Sequence, residues 1–159
     1  MKALSIETKA FRFVLMIGVV SLFADMCYEG SRAIIGPYLA QLGASGTVVG
    51  IVAGLGELLS YALRYISGRV SEKTGKFWPI TIFGYVFQML SVPLLALADS
   101  WQVAALLIIA ERIGKAIRNP PRNVMLSHAG SVIGHGWAFG VHEALDKFGA
   151  FVGPLAVAV

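Results

Sequence analysis

Five long apolar runs dominate the chain, at residues 11–42, 48–68, 77–98, 101–117 and 137–159. A helix needs roughly 20 residues to cross a bilayer core of about 30 Å. Four runs reach that length, and the fourth falls slightly short. Short connections at 43–47, 69–76 and 99–100 separate most of them. The longer segment 118–136 holds Pro120 and Pro121 and reads as a loop carrying a short surface helix. The pattern predicts an all-α membrane protein of about five transmembrane helices.

Polar residues interrupt these runs at helical spacing. Asp25, Glu29 and Arg32 fall at i, i+4 and i+7, which puts them on one face, and Gly18 and Gly36 extend that stripe. Glu57, Tyr61, Arg64 and Gly68 repeat the spacing, with Gly50 on the same face. Glu111, Lys115 and Arg118 do so again, and His142 and Asp146 align with Gly149 and Gly153. The third run has no Asp, Glu, Lys, Arg or His. Each ionised group at mid-membrane costs about 2.5–3.5 kcal/mol on insertion scales, so such a set demands partners or a wet path. We expect Asp25, Glu29, Arg32, Glu57, His142 and Asp146 to face a shared interior, with the third helix outside against lipid.

A plainer reading stands beside this one. Glu29 with Arg32, Glu111 with Lys115, and Glu143 with Lys147 can be neutralising pairs that only hold helices together. Glu143 is offset from His142 by roughly 100°, so its pair reads as structural. Arg64, Lys115 and Arg118 can snorkel to the interface. Asp25 lies mid-run, where no interface is within reach of so short a side chain.

Composition agrees with the pattern. Hydrophobic residues make up 57% of the 159 and charged residues 14%, with mean hydropathy +0.73. Soluble domains carry about a quarter charged residues. Three His and the single Cys27 are too few for a disulfide framework or a zinc finger. The net charge of +4 sits at the ends of the runs rather than in a patch interleaved with aromatics, which reads as topology and not as nucleic-acid binding. With a cytoplasmic N-terminus, Lys2, Lys9 and Arg12, then Arg69, Lys73 and Lys76, then Lys115, Arg118 and Arg122 all fall inside. The outer connections 43–47 and 99–100 hold no Lys or Arg. This predicts a multi-pass protein of the cell membrane. The start resembles a signal peptide, but the run continues past Glu29 without a small-residue cleavage site. The chain stops on an apolar stretch with no polar exit, and truncation is the simplest reading. No nucleophile elbow, His-x-x-x-His pair or phosphate-binding loop is present, so neither an enzyme nor a cofactor is expected.

Short internal echoes point towards transport. Residues 32–37 resemble 115–120, and 54–59 resemble 140–145, in the inverted sense common among secondary transporters. The stretch Gly68, three residues, Glu72, Lys73, one residue, Gly75, Lys76 resembles the signature that joins helices two and three in the major facilitator superfamily. Here Glu72 replaces its usual Asp, and Phe77 a common second base. Gly140, eight residues, Gly149, three residues and Gly153-Pro154 resembles that superfamily's antiporter signature, although Val157 and Ala158 replace its closing glycines. Glu111-Arg112 with Gly114-Lys115-Ala116 is a looser echo of the fourth-helix signature.

The resemblance implies an incomplete six-helix N-terminal bundle whose missing C-terminal half is its partner. It also implies a loop at Gly68–Lys76 that gates conformation, and helix packing through Gly140, Gly149, Gly153 and Pro154. It makes Arg112 the position linked to proton coupling. The expected function is proton-coupled transport of a small-molecule substrate across the lipid bilayer, with export as its direction. Asp25, Glu29 or Asp146 would bind the proton while Arg32 or Arg112 shifts its affinity. The competing class is a non-transporting membrane subunit or a truncated remnant.

Overall fold

The computed structural model describes residues 2–158, so Met1 and Val159, and with Val159 the expected end of the fifth helix, lie outside the described residues. Five α-helices follow one another: α1 (Lys2–Gln41), α2 (Gly46–Thr74), α3 (Phe77–Leu95), α4 (Trp101–Ile133) and α5 (His135–Ala158). No strand occurs among the described residues.

The connections are one to five residues long because local chemistry closes each helix. After α1, Gly43 takes a left-handed backbone, φ 88°. Its N–H reaches the Ala40 carbonyl, and the Ala44 N–H reaches that of Leu39 at 2.9 Å. These two hydrogen bonds satisfy orphan carbonyls of the last turn. Ser45 then caps α2 by accepting from the Val48 N–H.

Three helices run further than the sequence suggests, the first of them α1, which starts at Lys2 rather than at 11. The expected loop 69–76 is mostly the end of α2, which stops only where Gly75 turns left-handed. The expected loop 118–136 is helical to Ile133, straight through both prolines. Pro121 has no N–H to offer the Ile117 carbonyl four residues back. Ser67 on α2 donates its hydroxyl to that carbonyl instead, at 2.7 Å, so the freed acceptor is satisfied and the helix continues.

The described residues group into two compact units. One comprises the chain up to Gly30 together with the chain from Asn123 on, and the other is Ser31–Arg122. In the first, Val14, Ile17, Leu126, Ala129 and Ala138 form the core. There α1 and α5 meet through glycine. A Cβ on Gly149 would overlap the Leu22 carbonyl oxygen and one on Gly153 that of Met26, while Gly30 lies against the Gly153 carbonyl. Small residues at this spacing let membrane helices approach backbone to backbone. Gly140 takes no part, since a Cβ there meets nothing within 4 Å.

In the second unit the core holds Leu39, Val52, Leu95, Ala104, Ala105 and Ile108. Here α3 and α4 interlock. A Cβ on Gly114 would come within 2.6 Å of the Gln88 amide nitrogen, and one on Gly84 within 2.8 Å of the Gly114 carbonyl oxygen.

Polarity runs inside out. On α3 the buried positions are Thr81, Gly84, Gln88, Ser91 and Leu95, while Ile82, Phe83, Val86, Leu90 and Leu94 are exposed. In water each such exposed side chain would forgo about 1.5–3 kcal/mol of burial. A hydrocarbon surround removes that cost and makes the buried polar face the sensible one. Among the described residues, three helices are long and apolar enough to cross a membrane: α1 from Ser5, α2 and α3. Charge, rather than length, keeps α4 and α5 from meeting the same criterion, and much of that charge is buried.

Candidate functional site

Within the second unit, α1, α2 and α4 line an open cavity of about 400 Å³. Its wall carries Arg32 and Ile35 of α1, Val49, Ala53 and Glu57 of α2, and Arg112 of α4. Arg112 Nη1 donates to the Ala53 carbonyl at 2.9 Å and to Glu57 Oε1 at 3.1 Å. The Arg112 side chain is 6% exposed and that of Glu57 is 42%, so the pair joins a dry group to a wet one. Gly56 makes this possible. A Cβ there would stand 2.7 Å from Arg112 Cδ, so the missing side chain is the notch in which the arginine lies.

The neighbouring residue points elsewhere. Glu111 is fully buried, does not line the cavity, and accepts from the Ser31 hydroxyl at 2.8 Å. Successive helix positions differ by about 100°, so Glu111 ties α4 to α1 while Arg112 ties it to α2. Four polar side chains from three helices thereby fix one wall of the cavity.

Arg118 departs from expectation. Rather than snorkelling to an interface it is fully buried, its Nε donates to Gln88 Oε1 at 2.7 Å, and its guanidinium lies 4.5 Å from the centre of the Tyr85 ring. Two features of α3 hold it there: an amide and an aromatic face, both good partners for a planar cation. Lys115 is half-buried, and Arg64 lies 5.5 Å from the Tyr61 ring centre.

The first unit gathers a second polar set. Asp25 is 3% exposed, His142 1% and Asp146 7%, so neither aspartate lies on an outer surface. His142 Nε2 and Ser21 Oγ are 3.0 Å apart, with the direction of the bond set by the tautomer. The buried stripe of α5 is Ala138, His142, Asp146, Gly149 and Gly153, the face its spacing predicts. Glu29 is half-buried, and Glu143 and Lys147 are exposed. Asp25, Glu29, His142 and Asp146 thus belong to one unit, and Arg32, Glu57 and Arg112 to the other. At the end of α2, Glu72, Lys73, Gly75 and Lys76 are exposed, and Gly68 lies near the Pro120 ring. No group of three or more His, Cys, Asp or Glu able to hold a metal occurs among the described residues.

Sequence reasoning missed Ser31, Gly56, Gln88 and Tyr85. The one available signal was Gln88 with Thr81 and Ser91, a polar stripe at helical spacing on a helix otherwise apolar.

No protein-family model and no solved structure matches the chain. The uncharacterized proteins Rv2265 of Mycobacterium tuberculosis and Mb2288 of Mycobacterium bovis are each 53% identical over 149 residues, which is 94% of this chain and 36% of theirs. The uncharacterized MFS-type transporter MJ1317 of Methanocaldococcus jannaschii is 32% identical over 141 residues, 88% of this chain and 35% of its own. The chain spans about a third of the length of the curated relatives it matches. This is an all-α membrane protein, similar over most of its length to a transporter of the major facilitator (MFS) type.

Proposed function

We propose that the chain is the N-terminal part of a major facilitator transporter, one that carries a small solute across the cell membrane, outwards, in exchange for protons. The observation that carries this reading is the buried charge. Helices whose exposed faces are apolar keep Asp25, Glu111, Arg112, Arg118, Arg122 and Asp146 at least nine-tenths buried, and an open cavity meets Arg112 and Glu57. Intramembrane charge on this scale is costly and marks a solute or proton path. The likeness to an MFS-type transporter supports the same conclusion. The distribution of Lys and Arg supports a cytoplasmic N-terminus. Asp25 is assigned the proton, with Arg112 governing coupling.

The test uses the full-length protein in liposomes loaded with a pH-sensitive dye, challenged with a panel of small solutes. Solute-dependent proton movement is expected. Asp25→Asn keeps the shape and removes the titration, so it should abolish that movement while solute exchange without a gradient continues. An Asn variant with wild-type proton flux would pass the role to Glu29 or Asp146. Correctly inserted protein that moves no solute would favour a non-transporting subunit.

A further inference from the structure

We propose that the outer face of α1 binds a phospholipid with an anionic headgroup, its phosphate on Lys9 and Arg12 and its acyl chains along Met16, Val19, Val20 and Phe23. All six side chains are exposed. At about 100° per residue they fall within one sector of about 100°, on the side of α1 opposite Val14 and Ile17, which enter the core of the first unit. Between Met16 and Arg12 that face changes from apolar to cationic within one turn. Neither Lys9 nor Arg12 takes a side-chain hydrogen bond or an ion pair among the described residues. The neighbouring carboxylate, Glu7, lies about 200° round the helix from Lys9 and about 140° from Arg12, so it faces neither.

The dimensions match one leaflet. From Arg12 to Phe23 the helix rises about 16 Å, close to half of a bilayer core of about 30 Å. The apolar stretch therefore spans the depth of one layer of acyl chains, and the two cations stand where the headgroups begin. There an arginine fork can meet a phosphate through two parallel hydrogen bonds, and the lysine adds a point charge on the same side of the helix. Exposed apolar side chains need hydrocarbon beside them, and the cations at their end need an anion at headgroup depth. An anionic phospholipid supplies both in one molecule. A second copy of the chain does not, because a twofold axis along the membrane normal would set Lys9 and Arg12 against the same cations.

The test places a bimane fluorophore on Met16→Cys in full-length protein with native cysteines replaced, reconstituted in phosphatidylcholine vesicles. A minor fraction of the lipid carries a nitroxide on its acyl chain, as phosphatidylglycerol in one sample and phosphatidylcholine in the other. Quenching then reports which lipid occupies the face. Each basic residue beside an anionic headgroup is worth about fivefold, so the pair should favour phosphatidylglycerol by about 25-fold at low salt, less as salt is added. Lys9→Gln and Arg12→Gln should each lower that preference by about fivefold, and together bring the two lipids to parity. Lys9→Arg with Arg12→Lys keeps the charge and should keep the preference, and Glu7→Gln on the far side should leave it unchanged. Equal quenching in the otherwise unchanged protein, or a preference that survives loss of both cations, would overturn the proposal. So would a rise on Glu7→Gln as large as the fall on losing one cation, since net charge and not this face would then select the lipid. Release of the labelled lipid by inorganic phosphate at constant ionic strength would make the pair a site for a soluble anion and would also overturn it.

Discussion

Gly149→Leu should remove most of the folded protein from the membrane. The α1–α5 contact of the first unit is backbone against backbone, and even a methyl group at Gly149 would overlap the Leu22 carbonyl oxygen. Overpacking a well-packed site typically costs about 1–3 kcal/mol when side chains can shift. Here the obstacle is main chain, so relief requires the helices to separate, and the loss should exceed the upper end of that range. Separation would also open the buried stripe that holds His142 and Asp146. Gly140 is the internal control: nothing lies within 4 Å of its missing Cβ, and alanine gains about 1 kcal/mol of helix propensity. Size-exclusion of detergent-extracted protein should show Gly140→Ala at or above the wild-type level and Gly149→Leu at least tenfold below it. Equal recovery of the two would mean that α1 and α5 do not meet in this way.

Arg112→Gln should lower solute transport by at least a hundredfold, more than its effect on folding can explain. Removing the guanidinium leaves Glu57 without this cation partner and the Ala53 carbonyl without its extra donor. Breaking a fully buried ion pair typically costs about 3–5 kcal/mol. Glu57 is 42% exposed and can hydrate, so the cost here should be nearer 2 kcal/mol. Arg112→Lys should not restore function, because both acceptors are met by the terminal nitrogen Nη1, and a lysine Nζ ends about one bond short of that point in the Gly56 notch. The double variant Glu57→Gln with Arg112→Gln removes the stranded charge and should recover folded protein without recovering transport. Recovery of both would reduce Arg112 to a structural residue.

Much of this was legible in the sequence. The length of the apolar runs gave the existence of the helices, because a bilayer imposes a minimum span. The i, i+4 spacing of His142 and Asp146, and the lack of any interface near Asp25, correctly marked those positions as buried. The ends of α2 and α4 were not legible. Two prolines ordinarily stop a helix, and only the Ser67 hydroxyl, reaching Ile117 from another helix, shows why they do not. Nor could spacing show that Arg118 stays inside. That outcome depends on Gln88 and Tyr85, about 30 residues away on a helix without Asp, Glu, Lys, Arg or His. A serine hydroxyl can bond back to its own helix, so Ser31 gave no warning until its partner Glu111 was seen.

The central claim is that lipid covers the apolar outer faces while buried polar groups turn inward beside the apolar cores, and α3 tests it most directly. Nitroxide labels on cysteines at Phe83, Leu90 and Ser91, one at a time in reconstituted full-length protein, report collision with oxygen, which concentrates in lipid, and with a water-soluble nickel chelate. Phe83 and Leu90 are exposed and Ser91 is 4% exposed. The account predicts high oxygen and low nickel accessibility at 83 and 90, and low accessibility to both at 91. High nickel accessibility at 83 and 90 would place that face in water and contradict it.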